Sequence, residues 1–478
     1  MIHSPLFFFI TKSSINHYTM TGKLAQFTWP ALVANEILNK RLGSSNFIAD
    51  FPSNTEPLLS HDQSSLSSKT MLNDQKDTQK NKIFVSTWNV GGIAPDEGLN
   101  MEDLLETRNN SYDIYVLGFQ EIVPLKASNV LGYQNSKIST KWNSIIREAL
   151  NKNNTHVLHS FKLDEEGDDK KGIYCNNKEL GNNNNNNNPG LQGPQDFECI
   201  ISKQMVGILI SVWAKRDLRP FIQHPSVCCV GCGIMGCLGN KGSVSVRFVL
   251  HETSFCFVCG HLASGGREGD EKHRNSNVAE IFSRTSFPRR GPMLDLPRKI
   301  LDHDPVLCRH VILLGDLNYR ISLPEETTRL LVENEDWDSL LEYDQLMMEL
   351  MRGNMLKGWH EGAIKFAPTY KYCPNSDLYY GCCYHGKKAA KKRAPAWCDR
   401  IIWFGNGLKQ IQYARCESKL SDHRPVKALF IAQVRVSSAA LRSFQNLFLS
   451  ERFEQIETPF EVSPTYEFVC KKQSSFRL

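Results

Sequence analysis

The sequence lacks any apolar run close to the roughly 20 residues that a membrane-spanning helix needs. Its N-terminal apolar segment, PLFFFI, is short, follows no basic segment and precedes no small-residue cleavage site. We therefore expect no signal peptide and no transmembrane segment. The expected compartment is a reducing one, the cytosol or the nucleus, and peripheral contact with a membrane surface stays open as an alternative.

The sequence also lacks the motifs of hydrolases that form covalent intermediates. Neither a CX5R cysteine loop nor a GXSXG nucleophile elbow occurs. Neither sign of charge dominates, because 56 Lys and Arg face 51 Asp and Glu, for a formal net charge of +5. This mildly basic balance is compatible with a phosphorylated small molecule or a lipid headgroup, but charge alone does not argue for a nucleic-acid partner.

The 15 cysteines do not predict a disulfide framework. Many lie within or beside apolar, strand-like runs, where a free cysteine behaves as a small hydrophobic residue. A zinc site built from Cys229, Cys232 and Cys237 is the alternative. It is disfavoured because no further His or Cys pair at metal-ligand spacing completes it.

Length and composition predict one large domain with extensions. The chain has 478 residues, of which 41% are hydrophobic, enough to bury a sizeable core. Residues 1–80 are rich in Ser, Asn, Gln and Asp and predict a mostly disordered extension. The folded domain is expected over 81–435, with a low-complexity surface insertion at about 164–196 and a C-terminal extension at 436–478.

Polar side chains stand at the ends of several apolar strand-like runs. The clearest case is Val311 to Leu314, where a buried strand is followed by Gly315, Asp316 and Asn318. Gly-Asp and Asn are also common turn residues, so this segment taken alone is ambiguous. The residues at such strand ends are Asn89, Glu121, His261, Asp316, Asn318, Asp422 and His423. Acids, amides and imidazoles at the ends of separate strands predict one convergent site.

The chemistry of this set indicates metal-assisted hydrolysis. A carboxylate beside an amide can hold and deprotonate a water molecule. Hard oxygen donors favour Mg²⁺ over zinc, and Mg²⁺ typically takes one or two carboxylates together with phosphate oxygens of the substrate. Lys241 lies in a GNKG loop that is typical of a hairpin turn, and a phosphate contact is a second role open to it.

Eight segments, in chain order, carry a resemblance to a known family. They are WNVGG, GFQEIVPL, GNKGSVSVRF, GHLASG, GDLNYRI, PTYKY, KKRAPAWCDRIIW and SDHRPV. Together, over about residues 82–434, they resemble the inositol polyphosphate 5-phosphatases of the endonuclease/exonuclease/phosphatase superfamily. The most specific are ILLGDLNYRI, with Leu313 where an aromatic residue is common, and RAPAWCDRII. FTWPALV near the N-terminus resembles a segment of soluble plant members.

The resemblance implies a DNase I-like fold of the α/β (α+β) class, a four-layer αββα sandwich with the site at one rim. It also implies that Glu121, helped by Asn89, ligates Mg²⁺. Asp316 would orient and deprotonate the attacking water, with Asn318 beside it. The expected reaction is in-line water attack on the 5-phosphate of inositol polyphosphates or phosphoinositides, such as inositol 1,4,5-trisphosphate and phosphatidylinositol 4,5-bisphosphate, in phosphoinositide signalling.

Further roles follow from the same resemblance. His423, held by Asp422, and His261 would bind the scissile phosphate. Asp399 and Arg400 are interpreted as an ion pair that shapes the site. Lys241 is a candidate substrate contact, and a second subsite for the neighbouring 4-phosphate is expected from Tyr319, Tyr370, Lys371, Lys391 and Arg393.

Two other functions compete with this interpretation. A superfamily nuclease would use a similar metal site, but it would be expected to carry basic or aromatic surfaces along a nucleic-acid backbone. Here the basic groups concentrate in one loop, so no nucleic-acid partner is expected. A non-catalytic phosphoinositide-binding protein is disfavoured because every acid, amide and imidazole that the mechanism needs is present.

Overall fold

The computed structural model describes residues 46–50, 77–96, 98–107, 112–131, 136–152, 196–233, 236, 238–288, 298–300, 308–381 and 393–436. The chain divides into two compact units, one of Met1–Ser68 with Thr78–Arg435 and one of Lys69–Asp77 with Val436–Leu478. Apart from Asp77 and Val436, the described residues belong to the first unit. The predicted insertion before Asp196, the candidate residues Lys391 and Cys237, and most of both predicted extensions lie outside the described residues.

The described strands form two six-stranded mixed sheets and one small two-stranded sheet. In chain order they are β1 (Asp77–Asn89), β2 (Ile114–Gln120), β3 (Phe197–Met205), β4 (Ile208–Lys215), β5 (Ile222–Gly231), β6 (Gly242–Leu250), β7 (Thr253–His261), β8 (Ser286–Phe287), β9 (Arg298–Lys299), β10 (Cys308–Asp316), β11 (His360–Glu361), β12 (Asp399–Phe404), β13 (Leu408–Arg415) and β14 (Val426–Val436). The first sheet has the order β13-β14-β1-β2-β4-β3 and the second has the order β11-β12-β10-β7-β6-β5.

The helices of the described chain are short to medium in length. They are α1 (Met101–Leu105), α2 (Ala127–Leu131), α3 (Lys137–Asn151), α4 (Asp270–Arg284), α5 (Glu325–Glu333), α6 (Trp337–Leu341) and α7 (Gln345–Arg352), together with a 3₁₀ helix at Arg216–Phe221. The sequence pattern predicts helical structure over 330–356, and the structure has separate short helices there. The side chains of Asp336 and Asp344 each cap the start of a new helix, so the segment breaks into three pieces.

Three hydrophobic clusters define four layers. The inner cluster joins both large sheets, with Val85 and Ile210 from the first and Val246 and Ile312 from the second. One outer cluster packs α1 and α3 against the first sheet, and another packs α4 and α7 against the second. The predicted four-layer αββα sandwich is therefore confirmed. Within the described residues, no helix has the length and apolar character needed to cross a bilayer.

Strand register brings the polar strand ends to one rim of the sandwich. The parallel strands β1 and β2 end side by side, with Asn89 opposite Gln120. In the second sheet, Asp316 of β10 lies opposite His261 of the parallel strand β7 and opposite Asp399 of the antiparallel strand β12. Because parallel strands present their carboxyl ends at the same edge, side chains distant in sequence meet there.

Gly315 permits the close strand contact at this rim. Its φ of +152° lies in a region that residues with a side chain rarely adopt. A Cβ atom at this position would lie 2.0 Å from the carbonyl oxygen of Gly260 on β7. Only glycine therefore lets β10 lie against β7 immediately before Asp316.

Part of the predicted N-terminal extension belongs to the folded unit. Ile48 and Ser202 exchange two backbone hydrogen bonds of 2.9 and 2.8 Å at the edge strand β3. Asp50 accepts hydrogen bonds from the Arg147 guanidinium and, at 2.7 Å, from the Cys199 N–H. The first strand also begins at Asp77 rather than at the predicted boundary of 81.

Candidate active site

Asn89 lies at the centre of the rim and joins two carboxylates. Its Nδ2 donates to Asp316 Oδ2 at 2.9 Å and, more weakly, to Glu121 Oε1 at 3.5 Å. Its Oδ1 accepts the Gly91 N–H at 3.0 Å, which fixes the orientation of the amide. Asn89 thus contacts both carboxylates through its N–H donors, and its part in holding a metal stays a prediction.

Glu121 is the carboxylate at the outer side of this group. It follows β2 directly and has a φ of +54°, a left-handed conformation that is uncommon for a residue with a side chain. Its side chain is 28% exposed, and Oε1 lies 3.7 Å from His261 Nε2. Glu121 and Asp316 thus present two carboxylates to the same Asn89 nitrogen, and one of them is reachable from solvent. This oxygen-rich donor set fits a hard divalent cation.

His261 and Lys241 lie on the other side of Asp316. His261 Nε2 is 3.2 Å from Asp316 Oδ2 and also contacts Lys241 Nζ. Burial, followed by the nearby Lys241 charge, lowers the pKa of His261, so the imidazole is neutral at physiological pH. The connection that carries Lys241 does join antiparallel strands β5 and β6, but it is a longer loop rather than a two-residue turn, since Gly231 pairs with Gly242.

His423 is held by Asp399 rather than by Asp422. His423 Nδ1 donates to Asp399 Oδ2 at 2.9 Å, and Thr369 Oγ1 donates to the same oxygen at 2.7 Å. The Asp422 carboxylate instead pairs with Lys371 Nζ. Chain neighbours such as Asp422 and His423 direct their side chains apart, which explains why adjacency in sequence misled the prediction.

The buried charges in this group shift one another's pKa. Burial opposes protonation of His423, but the carboxylates of Asp399, Asp316 and Asp422 outweigh it and raise its pKa to about 9. Burial would raise the pKa of Asp316, yet the hydrogen bond with His261 and the positive charges nearby hold it well below its usual range. At neutral pH the site therefore pairs an ionised Asp316 with a protonated His423.

Three of the predicted 4-phosphate contacts lie together beside His423. The Tyr370 ring is 4.5 Å from the His423 ring, measured between centroids, and its hydroxyl accepts from Arg393 at 2.6 Å. Lys371 Nζ lies 5.3 Å from the Tyr370 ring centroid. Tyr319 does not join them, because it is 0% exposed and donates its hydroxyl to Asn275 at 2.6 Å. That prediction is wrong, and Lys391 lies outside the described residues.

Asn318 adopts a left-handed conformation immediately after Asp316. Its φ is +58°, its backbone N–H donates to Asp316 Oδ1 at 3.2 Å, and its Nδ2 donates to the Leu262 carbonyl at 3.1 Å. The Oδ1 of Asn318 accepts from the Arg320 guanidinium at 2.6 Å. Sequence reasoning missed Arg320 as a site residue, although it belongs to the GDLNYRI segment.

Arg400 does not form the predicted ion pair with Asp399. It is fully buried and binds Asp344 at 2.9 Å and Glu361 at 2.6 Å, on the opposite face of β12. Asp399 is therefore available to His423, a direct contact that the predicted ion pair did not anticipate. Its place at the start of an apolar strand marks it as a site candidate, but no sequence pattern pairs it with His423.

The zinc alternative is not supported by the packing of its cysteines. Cys229 lies in the inner cluster between the sheets, and Cys232 lies in the outer cluster beside α4. Burial raises the pKa of both thiols to about 12, so both are protonated at neutral pH. Both behave as the small hydrophobic residues that the sequence pattern predicts.

Comparison with known proteins identifies similar chains. The model of endonuclease/exonuclease/phosphatase family 2 matches residues 86–429. Type IV inositol polyphosphate 5-phosphatase 9 of Arabidopsis thaliana is 62% identical over 433 residues, which cover 89% of this chain and 96% of the relative. Type I inositol polyphosphate 5-phosphatase 8 of the same plant is 44% identical over 446 residues, covering 88% and 90%.

A solved structure resembles the fold as well. It is the inositol polyphosphate 5-phosphatase domain of SPsynaptojanin, crystallised in complex with inositol (1,4)-bisphosphate and a calcium ion. The TM-score is 0.57 at 27% sequence identity, and the match covers 80% of this chain and 93% of that chain.

Proposed function

This chain belongs to the inositol polyphosphate 5-phosphatases of the endonuclease/exonuclease/phosphatase superfamily, and from that membership we propose that it is a Mg²⁺-dependent enzyme acting on inositol 1,4,5-trisphosphate and phosphatidylinositol 4,5-bisphosphate. It is a phosphoric monoester hydrolase. The observation that carries the proposal is the meeting of Asp316, Asn89, Glu121 and His261 at one rim, with contacts of 2.9 to 3.7 Å.

Divalent metal dependence is a property of this superfamily, and Glu121 is the residue that would anchor the ion at the exposed side of the rim. A bound Mg²⁺ would neutralise charge on the phosphate oxygens and orient the scissile group. The carboxylate of Glu121 accepts only a weak hydrogen bond of 3.5 Å from Asn89, so it can exchange that contact for a metal.

Asp316 is the group that orients and activates the attacking water. Asn89 and the Asn318 N–H hold its two carboxylate oxygens at 2.9 and 3.2 Å, so the carboxylate cannot rotate. Because its pKa is held below the usual range, Asp316 is ionised throughout the physiological range and accepts a proton from the water only as the water oxygen bonds to phosphorus. The bond from phosphorus to the inositol 5-oxygen breaks on the opposite side, and that oxygen leaves as the alcohol after taking a proton from solvent.

His423 and Lys241 supply positive charge to the phosphate. His423 is protonated at neutral pH and keeps its Nδ1 on Asp399, so Nε2–H is left to donate to a phosphate oxygen. Lys241 reaches the same region from the β5–β6 loop, where it contacts His261. Such fixed donors stabilise the charge that develops in the transition state.

Selectivity for a 4,5-bisphosphate needs a second anionic subsite, and Tyr370, Lys371 and Arg393 are proposed to form it. They lie beside His423 and therefore at one side of the scissile phosphate. A charge-assisted contact to phosphate is worth roughly 1.5 to 3 kcal/mol. Lys371→Ala or Arg393→Ala should therefore lower kcat/KM about tenfold or more for inositol 1,4,5-trisphosphate.

The test is a ratio between substrates with and without the 4-phosphate. The loss should be confined to the substrate that has the 4-phosphate, and Lys409→Ala, at an exposed position of β13, serves as the control. Equal losses on both substrates would show that these residues support the fold or the scissile phosphate instead.

The function itself is tested by phosphate release. Wild-type protein is incubated with inositol 1,4,5-trisphosphate or with vesicles that contain phosphatidylinositol 4,5-bisphosphate, with Mg²⁺ or with a chelator, beside a plasmid-nicking assay. Mg²⁺-dependent release without nicking supports the proposal. Nicking without phosphate release would assign the site to a nuclease, and binding without either reaction would assign it to a non-catalytic protein.

A further inference from the structure

A buried hydrogen-bond relay supports the segment that follows Asp316, at Arg320. Arg274 of α4 is 0% exposed and donates to Gln345 Oε1 at 2.7 Å. The same oxygen accepts the backbone N–H of Arg320 at 3.0 Å, and the Gln345 N–H donates to the Arg320 carbonyl at 2.9 Å. One glutamine thus holds the backbone of Arg320 from both sides, and a buried arginine holds the glutamine.

The side chain of Arg320 in turn holds Asn318. Its Nε donates to the Asn318 carbonyl at 3.1 Å, and its Nη2 donates to Asn318 Oδ1 at 2.6 Å. The guanidinium therefore binds the backbone and the side chain of one residue, which has a left-handed φ of +58°. The Cζ atom of Arg320 also lies 4.5 Å from the centroid of the Tyr370 ring, a cation–π distance.

We infer that Arg320 is a positioning residue, placed by Gln345 and Arg274, that fixes Asn318 in its left-handed conformation against Asp316. This inference rests on the proposed function, because it assigns Arg320 a part in the same reaction. Asn318 needs such a partner because its backbone N–H orients Asp316 at 3.2 Å, and rotation out of the left-handed region would remove that contact. Through these contacts, residues of α4 and α7 fix the orientation of the Asp316 carboxylate, which activates water.

The planar fork of arginine is what the geometry requires. Two donors on one rigid group reach the carbonyl and the amide oxygen of Asn318, while its Cζ atom stays 4.5 Å from the Tyr370 ring centroid. A lysine carries a comparable charge, but its single ammonium does not offer two donors at fixed positions together with the contact to the ring. Arg320→Lys therefore keeps the positive charge and removes the planar pair of N–H donors, so it tests the two contributions separately.

The test combines kinetics with a double-mutant cycle. Arg320→Lys should lower kcat about tenfold to a hundredfold, while Arg267→Lys, an exposed substitution in a surface cavity that Arg320 also lines, should leave kcat within about twofold. In an Asn318→Ala background the same Arg320→Lys change should lower kcat less than about threefold, because its effect passes through Asn318. Losses that multiply fully in the double variant would overturn the inference.

Substitutions of Gln345 give a second test, in which Gln345→Leu should lower kcat and Gln345→Glu should restore most of it. Gln345→Leu removes the oxygen that accepts from Arg274 and Arg320, so kcat should fall, whereas Gln345→Glu keeps an acceptor oxygen and should recover most of it. If Gln345→Leu fails to fold, the Arg320→Lys cycle still decides. Equal kcat in Gln345→Leu and wild type would contradict the relay.

A crystal structure of Arg320→Lys gives a readout that does not depend on activity. We expect the Asn318 side chain to turn away from its wild-type position or to occupy two positions. An unchanged Asn318 conformation would refute the positioning role even if the wild-type protein proved inactive on inositol phosphates. Conversely, an inactive wild type with a displaced Asn318 in the variant would count against the proposed function alone.

Discussion

Asp399→Asn should remove most of the charge that keeps His423 protonated. The substitution keeps the size of the side chain and leaves an oxygen that can accept from His423 Nδ1, now at 2.9 Å from the carboxylate. It removes the negative charge that, apart from burial, is the largest influence on the pKa of His423. Because His423 is buried, solvent cannot replace that charge.

The magnitude follows from the pKa of His423. A rise from 6.5 to about 9 corresponds to about 3 kcal/mol of preferential stabilisation of the imidazolium, at about 1.4 kcal/mol for each factor of ten. If the pKa of His423 returns close to 6.5 or 7, its protonated fraction at pH 8 falls from about nine in ten to below about one in ten. Because the pKa of His423 is raised to about 9, the imidazole is fully protonated well below that pH and loses its proton as the pH rises through 9. The kcat of the variant should therefore approach that of wild type near pH 6 and fall about tenfold below it at pH 8.

Two measurements check this expectation. The alkaline limb of the pH profile of kcat should move from near 9 in wild type towards 7 in Asp399→Asn, and NMR of carbon-13-labelled histidine should show the same shift for His423 directly. Asp422→Asn is the matched control, because that carboxylate pairs with Lys371 and should chiefly change KM. An alkaline limb that moves more in Asp422→Asn than in Asp399→Asn would refute the assignment of Asp399 as the partner of His423.

Three further predictions address the metal, the N-terminal segment and the strand contact. Glu121→Gln should lose activity that high Mg²⁺ partly restores, and full activity at ordinary Mg²⁺ in a phosphate-release assay would contradict its role as the anchor. Asp50→Ala should lower the free energy of unfolding by about 1 to 2 kcal/mol in urea denaturation with little change in kcat. An unchanged urea midpoint would show that the Asp50 contacts do not stabilise the fold. Gly315→Ala should destabilise by about 3 kcal/mol or more, because the added Cβ would lie 2.0 Å from the Gly260 oxygen, and a soluble variant with the wild-type Tm would refute that reading.

The rim of the site could be predicted from the sequence because its residues follow apolar strands directly. Asp316 and His261 each end a run of buried residues, and strands of this kind run parallel with their carboxyl ends at one edge. The identity of the partners could not be predicted in the same way. Asp399 reaches His423 only because β12 pairs with β10 in a register that places Asp399 opposite Asp316. Register between distant strands leaves no local signal in the sequence.

Tyr319 illustrates a second limit, which is local geometry. The resemblance placed Tyr319 in a substrate subsite because its segment flanks a strand end that carries catalytic residues. The left-handed φ of Asn318, +58°, turns the chain, and Tyr319 instead packs in the outer cluster beside α4. Asparagine tolerates this conformation better than most residues, but its presence does not specify it.

Two residues of the site, Glu121 and Asn318, have left-handed backbone conformations, which indicates that the site is assembled before substrate arrives. Glu121 and Asn318 each occupy a strained backbone region, at a cost of about 1 to 3 kcal/mol per residue. In both cases the carbonyl oxygen is bound from outside the strand, by the Gly92 N–H at 2.7 Å and by Arg320 Nε at 3.1 Å. Contacts that do not involve a metal or a phosphate therefore offset the strain. The carboxylate proposed to anchor the ion and the Asn318 N–H that contacts Asp316 are thus held in position by the fold, and binding need not supply the free energy of arranging them.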